Sequence, residues 1–530
     1  MKSRLSYFLI SGIIILSIFI GTFIWRNKYI KETPKLNQKS FTAPISSKYI
    51  PTNADLILHW KINPTMLPNY LENLQDKKNK IDNNEKIKLI RDSAFALMSL
   101  DFKKDISNLF GEYGSLAIFD TNQQLINDWL MVIETNKDIN IDDELELISS
   151  LNIIDEDIDN SSKENISKFK IISKKLNSNE SIYFSKSQEH ILISSNPEKI
   201  NSSINQFEDN KLSMKKKYKS IQLKNNLNDG FLLLELSPKK FLNFLDYKKD
   251  LFELDHTEKL FLSMNIDKRN LILEGVLSYD NKISRPINDL SNDLIDLEEE
   301  FNTVENLILI DNPKQYFGEK FNYPYKKLIA SIIKESTTSD YSNLFKIILE
   351  NTKGSLIWIK DKDKEWLSLS NKADTNKQKI NDGLKKENFS NSKLVFKDKT
   401  LEVWSKITTN NNEKYEISEN IEAIIEENKD VYIWSQDLAS IANFDNKQFV
   451  SNHIDIESKD SDNNDFDNAI KISLGSKKTE VLLNSFYPYI LIRAMLGGKL
   501  NPPQNIDISL AIPAINYPDF VKFRINLKTS

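Results

Sequence analysis

Short apolar runs broken by polar residues fill most of this chain, and the longest departure from that pattern comes first. Leu5 to Trp25 holds 21 residues without a charge. As a helix at ~1.5 Å per residue that is about 31 Å, the thickness of a bilayer's hydrocarbon core. Lys2 and Arg4 precede it, and Trp25, Arg26 and Lys28 follow at the interfacial position. A cleaved signal would have a shorter run and a small-x-small site, and a buried soluble helix is the blander alternative. The pattern predicts an uncleaved membrane anchor over 1–28 and a single-pass protein held to the bilayer through Leu5 to Trp25. Positive charge flanks the run on both sides, so it does not set the orientation. Residues 29–48 carry Pro34 and Pro44 without apolar periodicity and read as a tether.

Behind the tether, alternating runs predict antiparallel strands with one wet face. Leu56–Trp60, Gly114–Asp120, Trp129–Ile133 and His190–Ser195 occur in that order. Leu307–Asp311, Gly354–Ile359, Trp366–Leu369 and Val431–Ser435 follow in the same order, at a spacing of about 240 to 250 residues. Further strands are expected at 168–172, 230–235, 260–266, 270–275, 393–396, 401–404, 506–512 and 521–527. Helical periodicity is best over 87–98, 237–245, 376–386 and 479–495. The expected fold class is therefore α+β. An N-terminal transmembrane helix is followed by two tandem, internally duplicated modules of antiparallel sheet packed with helices. The first module spans 49–285, a linker 286–303, and the second module 304–530. The bland alternative is that Gly-Ser-Leu before a strand is ordinary hairpin chemistry, recurring without ancestry. Trp129 and Trp366 each follow a polar turn and are expected in the core of their own module. Residues 155–168, 209–219 and 455–467 read as solvated loops.

Composition narrows the chemistry. Lys and Arg number 71 against 76 Asp and Glu, for a net charge of -5. A nucleic-acid partner is not expected, because no basic excess is present to neutralise phosphates. Cysteine is absent and glycine numbers 12. That removes thiolate metal sites, disulfides and thiol nucleophiles, and leaves little material for phosphate-cradling loops. Leu109–Ser115 holds a local glycine pair and reads as a turn into a strand. The stretch Asp460 to Asp467 begins like a calcium loop. It places Asp465 where the sharp turn wants glycine and Lys471 where the bidentate Glu should stand. His59, His190, His256 and His453 form no metal-binding pair, and His59 and His190 fall in strands as structural residues. The run Val481–Gly498 reads as a helix buried against a sheet, with a membrane-surface or partner-docking helix as the alternative. No cofactor and no metal are expected, and catalytic residues are unknown.

Tyr49-Ile-Pro-Thr-Asn-Ala-Asp-Leu-Ile-Leu-His-Trp60, Arg91–Leu97, Leu100–Phe102 and Leu109–Ile118, behind an anchor and tether, resemble the cyanobacterial membrane-anchored proteins grouped as domain of unknown function family 3352. The resemblance implies a protein facing the periplasm or thylakoid lumen and carries over no catalytic residues. Two readings of function follow. One is a non-catalytic binding or scaffolding component at the membrane surface, with other membrane or envelope proteins as partners. The other is a membrane-anchored hydrolase using dispersed carboxylates.

Overall fold

The computed structural model describes residues 42–65, 100–119, 128–135, 171–177, 180–208, 227–238, 257–267, 270–279, 305–318, 326–337, 343–360, 366–410, 416–428, 431–446, 466–485, 503–513 and 520–528, with single positions between 85 and 98 and Lys240. In the first half the strands are β1 (Leu56–Trp60), β2 (Phe110–Phe119), β3 (Asp128–Thr135), β4 (Ile171–Asn177), β5 (Glu180–Ser187), β6 (His190–Ser194), β7 (Leu232–Leu236), β8 (Thr257–Asp267) and β9 (Asn270–Tyr279). In the second they are β10 (Asn306–Ile310), β11 (Leu356–Lys360), β12 (Leu367–Asn371), β13 (Ser390–Phe396), β14 (Lys399–Asn410), β15 (Glu416–Glu427), β16 (Val431–Ser435), β17 (Phe466–Leu474), β18 (Asn505–Pro513) and β19 (Phe520–Lys528).

All 19 strands belong to one sheet. The pairings, antiparallel throughout, run β4, β5, β6, β3, β2, β1, β7, β8, β9, then β19, β18, β17, β10, β11, β12, β16, β15, β14, β13. This corrects the expected two-module α+β fold. The strands do not close into two separate modules. The last strand of each half, β9 and β19, pair along nine residues from Asn270↔Lys528 to Ser278↔Phe520 and fuse the halves into one sheet. Inward from either edge the two arms meet strands of similar placement, and β13 is an additional strand at the end of the second arm. Gly114 and Gly354 mark strands at matching places, β2 between β1 and β3 and β11 between β10 and β12, although neither glycine opens its strand. Gly114 lies inside β2 opposite Trp60, whereas Gly354 stands two residues ahead of β11.

Side chains alternate across the sheet. On one face Leu56, Leu58 and Trp60 join a core that continues through Trp129, Met131, Met264, Leu273, Ile308, Trp358 and Trp366. Helices α2 (Pro313–Phe317), α3 (Lys326–Thr337), α4 (Asn343–Asn351) and α5 (Lys377–Lys386) supply Tyr316, Ile333, Phe345, Ile348 and Leu384 to it. The other face carries two smaller clusters. Helix α1 (Pro197–Glu208) and the 3-10 turn Ile45–Tyr49 cover Ile57, Leu130 and Leu192 on the first arm. Helix α6 (Leu438–Asn446) covers Leu309, Ile357 and Ile433 on the second. Helix α7 (Ser476–Ser485) occupies the start of the expected 479–495 helix, and residues 486–495 lie outside the described residues.

Trp129 and Trp366 are both buried, in one shared core rather than in two. Their carbonyls accept hydrogen bonds from Ser194 Oγ at 2.6 Å and Ser435 Oγ at 2.9 Å. Gly114 and Gly275 serve a packing need. A Cβ on either would fall 2.1 Å from a ring atom of Trp60 or Phe523, the aromatic side chain directly across the ladder.

Among the described residues no helix is long and apolar enough to cross a membrane. The expected single-pass, signal-anchored placement therefore finds no support in the structure; Leu5 to Trp25, which carried it, lie outside the described residues.

Candidate functional site

The second arm ends in a hairpin built from strong local signals. Asn376 caps α5 by accepting from the Lys379 N–H at 3.0 Å. Asn388 ends it in the left-handed region with φ 65°, and the Phe389 N–H closes on Leu384 O at 3.1 Å. Phe389 is buried and fixes where β13 begins. β13 and β14 are joined by Lys397 and Asp398, with φ of 49° and 62°, the geometry of a two-residue type I′ turn. Trp404 pairs with Ala423 and Ser405 with Ile421, so Glu422 bulges out of β15.

Phe396 and Leu401 anchor this hairpin on the α6 side of the sheet. Every residue of β13 from Ser390 to Val395 is nonetheless exposed, and among the described residues β13 pairs with β14 alone. Val395 is 73% exposed, and Ile407 on β14 and Ile421 on β15 are 57% and 46% exposed. Beneath the hairpin, Lys377 bonds Glu402 at 2.9 Å and also Glu427. Burial alone would lower the Lys377 pKa, but the hydrogen bonds it donates to Glu427 and Glu402 outweigh it and raise the pKa. The hydrogen bond from Lys377 in turn holds the Glu427 carboxyl below its usual range.

The residues singled out in the sequence fall elsewhere. His59 Nδ1 and Ser115 Oγ share a 2.7 Å hydrogen bond, and Ser115 Oγ lies 2.8 Å from Ser46 Oγ. All three are buried, so the chain of hydroxyls and imidazole ties the 3-10 turn to β1 and β2 instead of meeting a substrate. His190 is buried beside the Tyr49 ring at 5.2 Å, with neither ring nitrogen hydrogen-bonded. Burial pushes its pKa down, opposed by Glu189. His256, His453 and Asp460 to Asp465 lie outside the described residues.

Four buried carboxylates each meet a lysine. Asp55 lies 2.5 Å from Lys240, Glu235 2.5 Å from Lys259, Glu274 2.8 Å from Lys522 and Glu426 2.5 Å from Lys399. Among the described residues no group of three or more His, Cys, Asp or Glu could hold a metal ion. The open edge was not legible as a site: Lys393–Phe396 reads as an ordinary strand, and β15 carried no expectation at all.

A family model described as "Protein of unknown function (DUF3352)" matches residues 8–486. The chain belongs to the DUF3352 family. The match identifies the family and does not bear on a cyanobacterial source. No curated protein matches this DUF3352 chain. Two solved structures align with it, titled "Structure of crystal form III of TP0453" and "Structure of crystal form IV of TP0453". The first has 9% identity and a TM-score of 0.23 and covers 48% of this chain and 85% of that one. The second has 8% identity and a TM-score of 0.21 and covers 48% and 83%. At those scores neither informs the fold.

Proposed function

We propose that this DUF3352 protein is a non-catalytic binding or scaffolding component that engages its partner through the open end of the second arm. The observation that supports this reading is β13, a complete edge strand with six consecutive exposed residues and Val395 almost uncovered. Unpaired N–H and C=O groups on such an edge are a template for another strand, and folded proteins normally cover or blunt them. The rest of the sheet is the rigid support. The hydrolase reading is weaker here because the buried carboxylates described above face ammonium groups, whereas acid–base catalysis needs one carboxyl held neutral beside another held charged.

Crosslinking of the tagged full-length protein in its source cells, followed by mass spectrometry, tests the proposal. A defined partner crosslinked to lysines between 385 and 406 supports it. Crosslinks confined to other surfaces, or a hydrolytic activity abolished by Glu274→Gln, would overturn it.

A further inference from the structure

We infer that β13 accepts an extended peptide segment of acidic character, which adds to the sheet as a further strand beside it; this rests on the binding reading above. The two-residue turn makes Phe396 and Lys399 the closing hydrogen-bonded pair of the hairpin. Bonding then alternates along β13, so Phe396, Leu394, Ser392 and Ser390 turn their N–H and C=O groups toward β14. Asn391, Lys393 and Val395 turn theirs outward, where no strand among the described residues meets them.

Side chains select the partner. Between residues 385 and 399 stand five lysines, Lys385, Lys386, Lys393, Lys397 and Lys399, against two acids, Glu387 and Asp398. Lys399 is engaged by Glu426. Glu402, across the ladder from Lys393, is already bonded by Lys377 at 2.9 Å and by Asn391 Nδ2 at 2.6 Å. The exposed edge is therefore positive, with an apolar step at Val395. An incoming strand that sets a carboxylate opposite Lys393 and an apolar side chain opposite Val395 satisfies both. A second copy of this chain fits less well: antiparallel pairing centred on mid-strand would set Lys393 against Lys393. A single lysine can also act as a shield on an edge strand, but a shielded edge does not leave Leu394 and Val395 exposed beside it.

The test uses the full-length protein and two capped, fluorescein-labelled nonapeptides, one alternating Val with Glu and the other Val with Lys, read by fluorescence anisotropy. The acidic peptide is expected to bind about tenfold more tightly than the basic one, and Lys393→Glu to reverse that order. Val395→Pro removes an outward N–H that β14 does not use, so the hairpin tolerates it while strand addition does not. It should weaken the acidic peptide by about tenfold or more, with the thermal unfolding midpoint unchanged. Equal binding of the two peptides, or full binding by Val395→Pro, would overturn the inference. So would a concentration-dependent dimer in sedimentation that Val395→Pro abolishes, since the occupant would then be a second copy. If neither peptide binds but a cellular partner still crosslinks to Lys399 or Lys406 on β14, the acidic-strand inference fails and the binding function stands.

Discussion

The sheet has two ends, and the chain treats them differently. At the first end, β4 is drawn into the protein: Ile172 packs on the large core, and Lys174 pairs with Asp105 at 2.7 Å with both side chains mostly covered. Asp105 sits in the π-helical turn Phe102–Ile106, held by Asp101, whose carboxylate accepts from the N–H groups of Lys103 and Lys104 at 3.1 and 3.0 Å. At the second end β14 occupies the corresponding place, and one more strand, β13, is laid outside it and left exposed. The cost of an open edge is aggregation risk. One arm avoids it with an ion pair and apolar packing. The other bears it, which is what an interaction edge requires.

The largest effects should be the same in both arms, because the interior does not share this asymmetry. Trp129→Ala and Trp366→Ala each remove a buried indole whose backbone carbonyl is held by a serine from the neighbouring strand. Each is expected to cost about 3–5 kcal/mol in urea denaturation. A loss near zero for one and several kcal/mol for the other would break the likeness of the two arms.

A smaller effect should separate the ends. Lys174→Ala leaves the mostly buried Asp105 carboxylate without its ammonium, at a cost of about 1–3 kcal/mol. Lys393→Ala strips a charge from an exposed edge and should change stability by less than about 0.5 kcal/mol. Equal losses would mean that β13 is as firmly tied into the fold as β4.

How much of this was legible follows from what a local pattern can encode. Short apolar runs placed β1, β2, β8, β9, β16 and β19 well; β1 and β16 are buried on both faces, so their apolar run is continuous rather than alternating. Burial of Trp129 and Trp366 was legible for the same reason. Pairing was not. Nothing in Asn270–Tyr279 or Phe520–Lys528 says that these two strands, about 250 residues apart, join the halves, so one sheet was read as two modules. β5 and β15 escaped notice because Lys186 and the acids Glu416, Glu419, Glu422, Glu426 and Glu427 dilute their apolar positions. The open edge escaped for a deeper reason: Leu394 and Val395 look like core residues, and only the strand order shows that no described strand lies beyond them.

The two arms should also differ in their response to acid. His190 opens β6 opposite Glu134, with Glu189, Ser187 and Tyr49 around it, whereas Val431 opens β16 opposite Asn371. Burial lowers the His190 pKa below 6.5, so the folded protein holds it neutral while the unfolded chain protonates near that value. Its contribution is intact above that pH and is lost as pH falls through about 6.5 toward the lower folded value. His190→Val, which copies the second arm, should reduce the difference between urea midpoints measured near pH 7.5 and near pH 5.5. An unchanged difference would place the acid sensitivity elsewhere.

The smallest expected effect is the sharpest test of the contrast. Among the described residues Val395 is the most exposed of the large apolar side chains, on a strand paired along one side. Were β13 merely structural, its valine would contribute through β propensity and cross-strand contact with Thr400, and Val395→Ser would cost up to about 1 kcal/mol. If the side chain is kept for an incoming strand, the free protein scarcely notices its loss, and the change stays within about 0.5 kcal/mol. The same substitution should still weaken the acidic nonapeptide, because the apolar step opposite the added strand has gone while the outward N–H and C=O remain. Stability held and affinity lost is the combination that only an interaction edge produces. Stability lost with affinity held would return β13 to the scaffold and leave the second arm as closed as the first.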